Sequence, residues 1–380
     1  MKLTIDTDKL ADAAQWALRA VPGTPPIPVM AGMRLEAADD NTLTLAGYDH
    51  YRSARAAEDC EVSEPGTLLV PGRVFTDLVK AFPKGKPTTL ALDGTDLALS
   101  CGTAHILLPT LPLDDYPTLP TISAASGTVD GATLAAAGAR VAAASSTDET
   151  LVNLTGVQFG LSDTTITLSA TDRYTFHVAD MPWTPNPDLK GKGKNRPRVA
   201  GNTLVPADAV RDAARILADA DTAELTITDS QFAISVPGRW ATSSLLEGGL
   251  PKYATLFPTE FESVATTGTE ALIDAIKHIQ PLLGKADPML LEVADGQITV
   301  RAGTDDKGRG RDQVHADLEG APLTIAFNPG LLLRTLQQID APFTQFNFTT
   351  PTKPVLLHAP EQADTFRGLI MPIRLTSISG

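Results

Sequence analysis

The chain has 380 residues, 43% of them hydrophobic and 20% charged, with a formal charge of −14, which is room for two or three cored domains and excludes a disordered chain. The acidity excludes a protein whose whole surface grips nucleic acid, although the distribution of charge, not its total, decides binding. No stretch approaches the roughly 18 to 20 apolar residues of a membrane span, and MKLTIDTDKL lacks a signal peptide's apolar core, so the expected location is the cytoplasm.

The first helical pattern is DTDKLADAAQWALRAV from Asp6. A proline-rich VPGTPPIPVMAG follows, then LEAADDNTLTLAGYD from Leu35, two alternating runs around a polar turn that predict paired strands. LLVPGRVFTDLVKAF from Leu68 reads as a strand, a tight turn and a second helix. The proline-rich stretch from Leu108 to Gly127 then reads as a joint. The order repeats: helix DGATLAAAGARVAAAS from Asp130, strand pair VQFGLSDTTITLSATD from Val157, strand and helix TLVPADAVRDAARIL from Thr203, and a joint LLEGGLPKYATLFPTEFE from Leu245. It repeats again with GTEALIDAIKHIQPLL from Gly268, LEVADGQITVRAGTDD from Leu291 and TIAFNPGLLLRTLQQI from Thr324. Asp, Pro or Asn stands near the start of five of the six helices, as entry into a helix favours.

Copies recur at roughly 120 to 135 residues, the size of a domain and not of a solenoid repeat. The expected fold is α+β, with three similar tandem domains over 1–122, 123–258 and 259–380, each with two helices on antiparallel strands.

The six helices carry Lys9, Arg19, Arg73, Lys80, Arg140, Arg211, Arg215, Lys277 and Arg334. These are either ordinary solvated faces or, if the helices share one surface, a local positive face in an acidic protein. A basic run, DLKGKGKNRPR from Asp188 to Arg198, has no apolar anchor and reads as a solvated loop or an electrostatic phosphate contact.

No catalytic pattern accompanies them. A phosphate-cradling glycine loop, HExxH, nucleophile elbow and paired CxxC are all missing from the sequence. Its six histidines are scattered, and Cys60 and Cys101 lack zinc-ligand spacing. The carboxylate pairs Asp114 with Asp115 and Asp305 with Asp306 lie in turn-like segments where solvation explains them. The expectation is a protein that is not an enzyme and needs no metal or cofactor.

The triple repeat, VPGTPPIPVMAG, the VPGR turn, CGTAHILLPTLPLDDYP, LTGVQFGL to SATDRYTF, LPKYATLFPTEF, AFNPGLLL and the terminal LIMPIRL together resemble the bacterial replicative sliding clamp, the β subunit of DNA polymerase III. The likeness covers Met1 to Leu375. It implies a DNA-clamp fold, half of a head-to-tail dimeric ring whose helices face duplex DNA without reading sequence. It also implies a pocket for short Leu- and Phe-containing peptides of polymerase and clamp-loader subunits, formed by Leu154, Thr171, Arg173, Tyr174, Thr175, Phe176, Pro251, Leu256, Asn328, Leu331, Leu369, Met371, Pro372, Ile373 and Arg374. Dimer contacts implied in the same way are Ile106 and Leu108 on one chain facing Leu282 and Leu283 on the other.

The chain departs from the family pattern at basic positions: Thr24, Thr103, His105, Thr175 and Asp208 stand where arginine or another basic residue is common. Five residues, TSISG, extend past the usual end. Two alternatives stay open at this point. One is a divergent second clamp that escapes a clamp-binding inhibitor or serves a mobile element. The other is a peptide-binding scaffold that no longer encircles DNA.

Overall fold

The computed structural model describes residues 1–25, 27–189, 197–251, 256–284, 287–304, 308–363 and 365–374. Most of the basic run from Lys190, the pair Asp305 and Asp306, Tyr253 and the terminal TSISG lie outside the described residues.

Six α-helices occur among them: α1 Thr7–Ala17, α2 Gly72–Ala81, α3 Gly131–Ala142, α4 Ala207–Leu217, α5 Thr269–Ile279 and α6 Pro329–Leu336. Each begins near the predicted place, and two starts show the physical cause. The Asp6 carboxylate accepts the backbone N–H groups of Asp8 and Lys9 at the head of α1. The Asn328 side chain accepts from Leu331 N at the head of α6, with Pro329 at its first position. No helix of the described residues is long and apolar enough to cross a membrane.

The strands form three antiparallel sheets. The five-stranded sheet runs Glu61–Glu64, Lys2–Asp6, Pro87–Asp93, Asp96–Cys101, Ala104–Pro109. In the nine-stranded sheet, Arg239–Ser244 of the middle repeat pairs with Arg52–Asp59 of the first, Arg239 opposite Ala56 and Ser243 opposite Arg52. The twelve-stranded sheet is joined in the same way, with Thr175–Pro182 of the middle repeat against Arg367–Ile370 of the last, Thr175 opposite Ile370 and Val178 opposite Arg367.

Hydrogen bonding therefore does not stop at the sequence joints. The chain divides into two compact units: Met1–Ala132, Thr184–Val199 and Asp212–Leu245 make one, and Thr133–Trp183, Ala200–Arg211 and Leu246–Gly380 the other. In the first unit, Leu3, Leu10, Leu35, Leu45, Phe75, Val79, Leu90 and Leu99 form one buried core beneath α1 and α2. Cys60 and Cys101 are both free thiols, and Cys101 is buried in that core.

Candidate functional site

In the second unit a tight turn organises the expected peptide site. The Asp172 carboxylate accepts from the backbone N–H groups of Tyr174 and Thr175, at 3.0 and 2.7 Å, and from the Thr175 hydroxyl at 2.9 Å. Closing this turn places Arg173 at φ 81°, a left-handed conformation uncommon outside glycine. It lifts the Tyr174 ring into solvent, 54% exposed, with the Arg173 guanidinium 5.7 Å from the ring centroid.

The C-terminal segment lies against this turn. Phe176 is opposite Leu369 in the sheet. Beyond it Met371 N donates to the Tyr174 carbonyl at 2.8 Å, and Ile373 N donates to the Ala326 carbonyl at 2.8 Å. The structure thus brings together Thr171 to Phe176, Leu369 to Ile373 and the head of α6 with Asn328 and Leu331. Met371 and Leu256 are exposed apolar side chains at 41 and 44%. Thr171, Phe176 and Leu369 form a buried floor. Leu154, Pro372 and Ile373 are half-buried, and Pro251 and Arg374 are exposed.

Three features of this site were not read from the sequence. The first is Phe257, whose ring packs edge-on against Phe176 with centroids 6.1 Å apart. Leu250, Phe261 and Leu356 join it in a cluster around Phe176 and Leu369. Apolar residues of the second joint, next to the selected Leu256, were the available signal.

The second feature is Arg334, which was expected among the DNA-facing cations. Its guanidinium instead binds the Asp172 carboxylate and, at 2.8 Å, the Thr175 hydroxyl. Burial opposes ionisation of Asp172, yet the Arg334 hydrogen bond and the two turn N–H groups outweigh it and hold its pKa below the usual carboxylate value. The third follows from the second. Thr175 is 1% exposed and supports the turn from beneath, so it is not part of the slot's surface as expected.

The other helix cations divide into two groups. Arg19 pairs with Asp212 at 3.1 Å, Arg140 with Asp340 at 2.8 Å, Arg211 with Asp208 at 2.7 Å and Lys277 with Asp274 at 3.4 Å. Arg211 also donates to the Ala142 carbonyl. Lys9, Arg73, Lys80 and Arg215 are exposed and have no ion-pair partner among the described residues. Asp208, one of the departures from the family pattern, thus neutralises a helix cation directly.

The residues expected at a dimer contact lie on a strand and on a turn. Ala104–Pro109 is an edge strand, but Ile106 and Leu108 face the core of their own unit, and Leu108 is only 5% exposed. Leu107, 49% exposed, is the outward apolar side chain. The reason is the two-residue period of a strand, in which neighbours point to opposite faces. Leu282 and Leu283 are half-buried at the end of a 3-10 turn following α5.

Among the described residues, the strand Gly308–Gly320 has an unpaired edge in its first half. Its partner on one side runs Gly296 to Thr304, whereas on the other side pairing begins only at Ala316. The exposed Arg309 and Arg311 lie in that half.

Among the described residues, no group of three or more His, Cys, Asp or Glu side chains is placed to hold a metal ion. Asp114 and Asp115 are exposed, as expected for solvated turn carboxylates.

Comparison with known proteins gives one consistent result. Models of the N-terminal, central and C-terminal domains of the DNA polymerase III beta subunit match residues 1–120, 128–252 and 254–374. The chain is 39% identical over 387 residues to the beta sliding clamp of Streptomyces coelicolor, covering 99% of this chain and 100% of that one. It is 34% identical over 381 residues to the beta sliding clamp homolog GriR of Streptomyces muensis, covering 98% and 99%. Its fold matches a crystal structure of the Bacillus subtilis DNA polymerase sliding clamp with a TM-score of 0.89 at 23% identity, covering 98% of this chain and 99% of that one.

Proposed function

The chain belongs to the DNA polymerase III beta subunit family, and from that premise we infer that it is a noncatalytic sliding clamp, which encircles duplex DNA and tethers the replicative polymerase. One observation carries this reading: all three domain models match in order across nearly the whole chain. A clamp needs numerous electrostatic contacts that are blind to base sequence, because a fixed register would stop sliding. Lys9, Arg73, Lys80 and Arg215, each exposed on a helix, are suited to that task.

Two finer assignments belong to the same proposal. Client proteins dock through short Leu- and Phe-containing peptides in the slot of Tyr174, Met371, Leu256 and Leu331, over the floor of Phe176, Phe257 and Leu369. The ring closes as a head-to-tail homodimer in which the edge strand Ala104–Pro109 meets the free half-edge of Gly308–Gly320 in a second copy. Leu107 supplies the apolar contact and Arg309 and Arg311 the polarity of that seam.

The test is retention on DNA. Loaded onto nicked circular DNA by a clamp loader, the protein stays with the circle through a sizing column in moderate salt and is lost once the circle is linearised. A protein that leaves both forms yet still binds a polymerase peptide would be a docking scaffold, and the ring reading would fall.

A further inference from the structure

The turn that carries Tyr174 has a counterpart in the other unit. The Asp49 carboxylate accepts from the backbone N–H groups of Tyr51 and Arg52, at 2.9 and 2.6 Å. His50 stands at φ 74°, as Arg173 does at 81°. Tyr51 is 73% exposed. Ser244 N donates to the Tyr51 carbonyl at 2.7 Å, as Met371 N does to that of Tyr174 at 2.8 Å. Each turn leads into the strand that joins two repeats in one sheet, Arg52–Asp59 or Thr175–Pro182. The repeat has reproduced a binding-site frame, including its unfavourable backbone angle and its outward tyrosine.

This second frame borders a half-open cavity of about 440 Å³, within the range of ligand pockets. Tyr48, His50 and Tyr51 line one part and Pro120 and Ile122 another, with Ser230, Gln231 and Ser244 among its polar groups. The wall is fixed by contacts behind it. The Arg55 guanidinium holds the Pro120 carbonyl, and the Ser53 and Thr242 hydroxyls meet at 2.7 Å. Tyr116 packs with Val29, Met30 and Leu69 beneath the joint. Left-handed residues outside glycine cost on the order of 1 kcal/mol or more and persist where surrounding structure imposes them.

We propose that this cavity is a second peptide site, which takes an extended uncharged segment with a proline or aliphatic anchor. Rings and a proline suit such an anchor, while the hydroxyls and the Gln231 amide hydrogen-bond to an extended peptide backbone. Among the described residues no Lys, Arg, Asp or Glu lines the cavity, so a charged segment would find no ion-pair partner among them. The phenylalanine-lined floor beneath Tyr174 selects larger apolar groups, so the two sites differ in ligand.

The experiment uses the intact protein labelled with 3-fluorotyrosine, whose five tyrosines give separate fluorine resonances, with Tyr51 and Tyr174 assigned by Tyr51→Phe and Tyr174→Phe. The probe is the capped hexapeptide Ser-Leu-Pro-Leu-Ser-Gln, with the capped pentapeptide Gln-Leu-Ala-Leu-Phe as the reference for the other slot. The hexapeptide is expected to shift Tyr51 saturably and leave Tyr174 in place, and Ser230→Arg, a change at an exposed rim position, is expected to weaken that response at least about tenfold. A Tyr51 resonance that does not move, moves without saturating, or moves equally in S230R overturns the proposal. The pentapeptide tests the slot of the proposed function separately: if it leaves Tyr174 unmoved, that docking reading fails while the second site stands or falls on Tyr51.

Discussion

The Arg334 guanidinium ties α6 to the turn of Asp172 and Thr175, residues about 160 positions away in sequence. Arg334→Met leaves Asp172 largely buried without its counter-ion. The expected loss, reduced because the Arg334 side chain is 31% exposed, is roughly 1 to 3 kcal/mol in urea unfolding, with weaker binding of a Leu/Phe peptide as the turn loosens. His177 gives a prediction in pH. It is fully buried, its Nδ1–H donates to the Arg140 carbonyl at 2.9 Å, and burial brings its pKa down to about 4. Unfolded chains take up this proton below a pH of about 6.5 while the fold refuses it, so stability is fully present above that value and is lost between there and about 4, by roughly 3 kcal/mol. Urea midpoints at pH 7.5 and pH 5 should therefore diverge in the parent and converge in His177→Gln. Equal pH slopes in the two proteins would remove His177 as the source.

For whole elements the sequence was a better guide. All six helices and the paired strands stood near their expected places because hydrophobic period, prolines and cap residues are local signals. The strand Ala104–Pro109 carries the expected dimer residues Ile106 and Leu108, but its facing was not legible. A run such as HILLP is apolar on both faces, so alternation gives no phase, and the core alone decides that Ile106 and Leu108 turn inward. The two leucines should consequently behave as opposites. Leu108→Ala opens a cavity and costs about 2 to 4 kcal/mol of stability. On the proposed seam, Leu107→Asp should leave the thermal midpoint of the subunit nearly unchanged and shift sedimentation from dimer to monomer. A dimer undisturbed by Leu107→Asp would place the seam elsewhere. The proposed peptide slot was only half legible: LIMPIRL marked one wall, whereas Phe257 and Leu250 join it through packing across the joint.

At the scale of the molecule, an acidic chain that works on DNA must hold it with few cations, and pairing within the protein reduces the number further. Four of the nine helix cations named above are exposed without an ion-pair partner among the described residues, and a ring of two chains would present eight. Equilibrium binding to short linear duplexes should then be weak, with log K against log salt no steeper than about −7. A markedly steeper slope in a filter-binding series would show that the ion pairs open onto phosphates. Retention on circles should be far less sensitive to salt, since closure, not attraction, holds the ring. The repeat itself was plain in the sequence, yet its partition was not, because the strands that join repeats are fixed by pairing between distant segments. Arg239–Ser244 completes a sheet of the first repeat, and Arg367–Ile370 one of the middle repeat. What was copied and what holds together are consequently out of step. A gene exchange between relatives at residue 122 or 258 would cut at the seams most visible in the sequence, yet oblige strands from two lineages to pair edge to edge, so such a chimera inherits its hardest compatibility problem at the place that looks safest to cut.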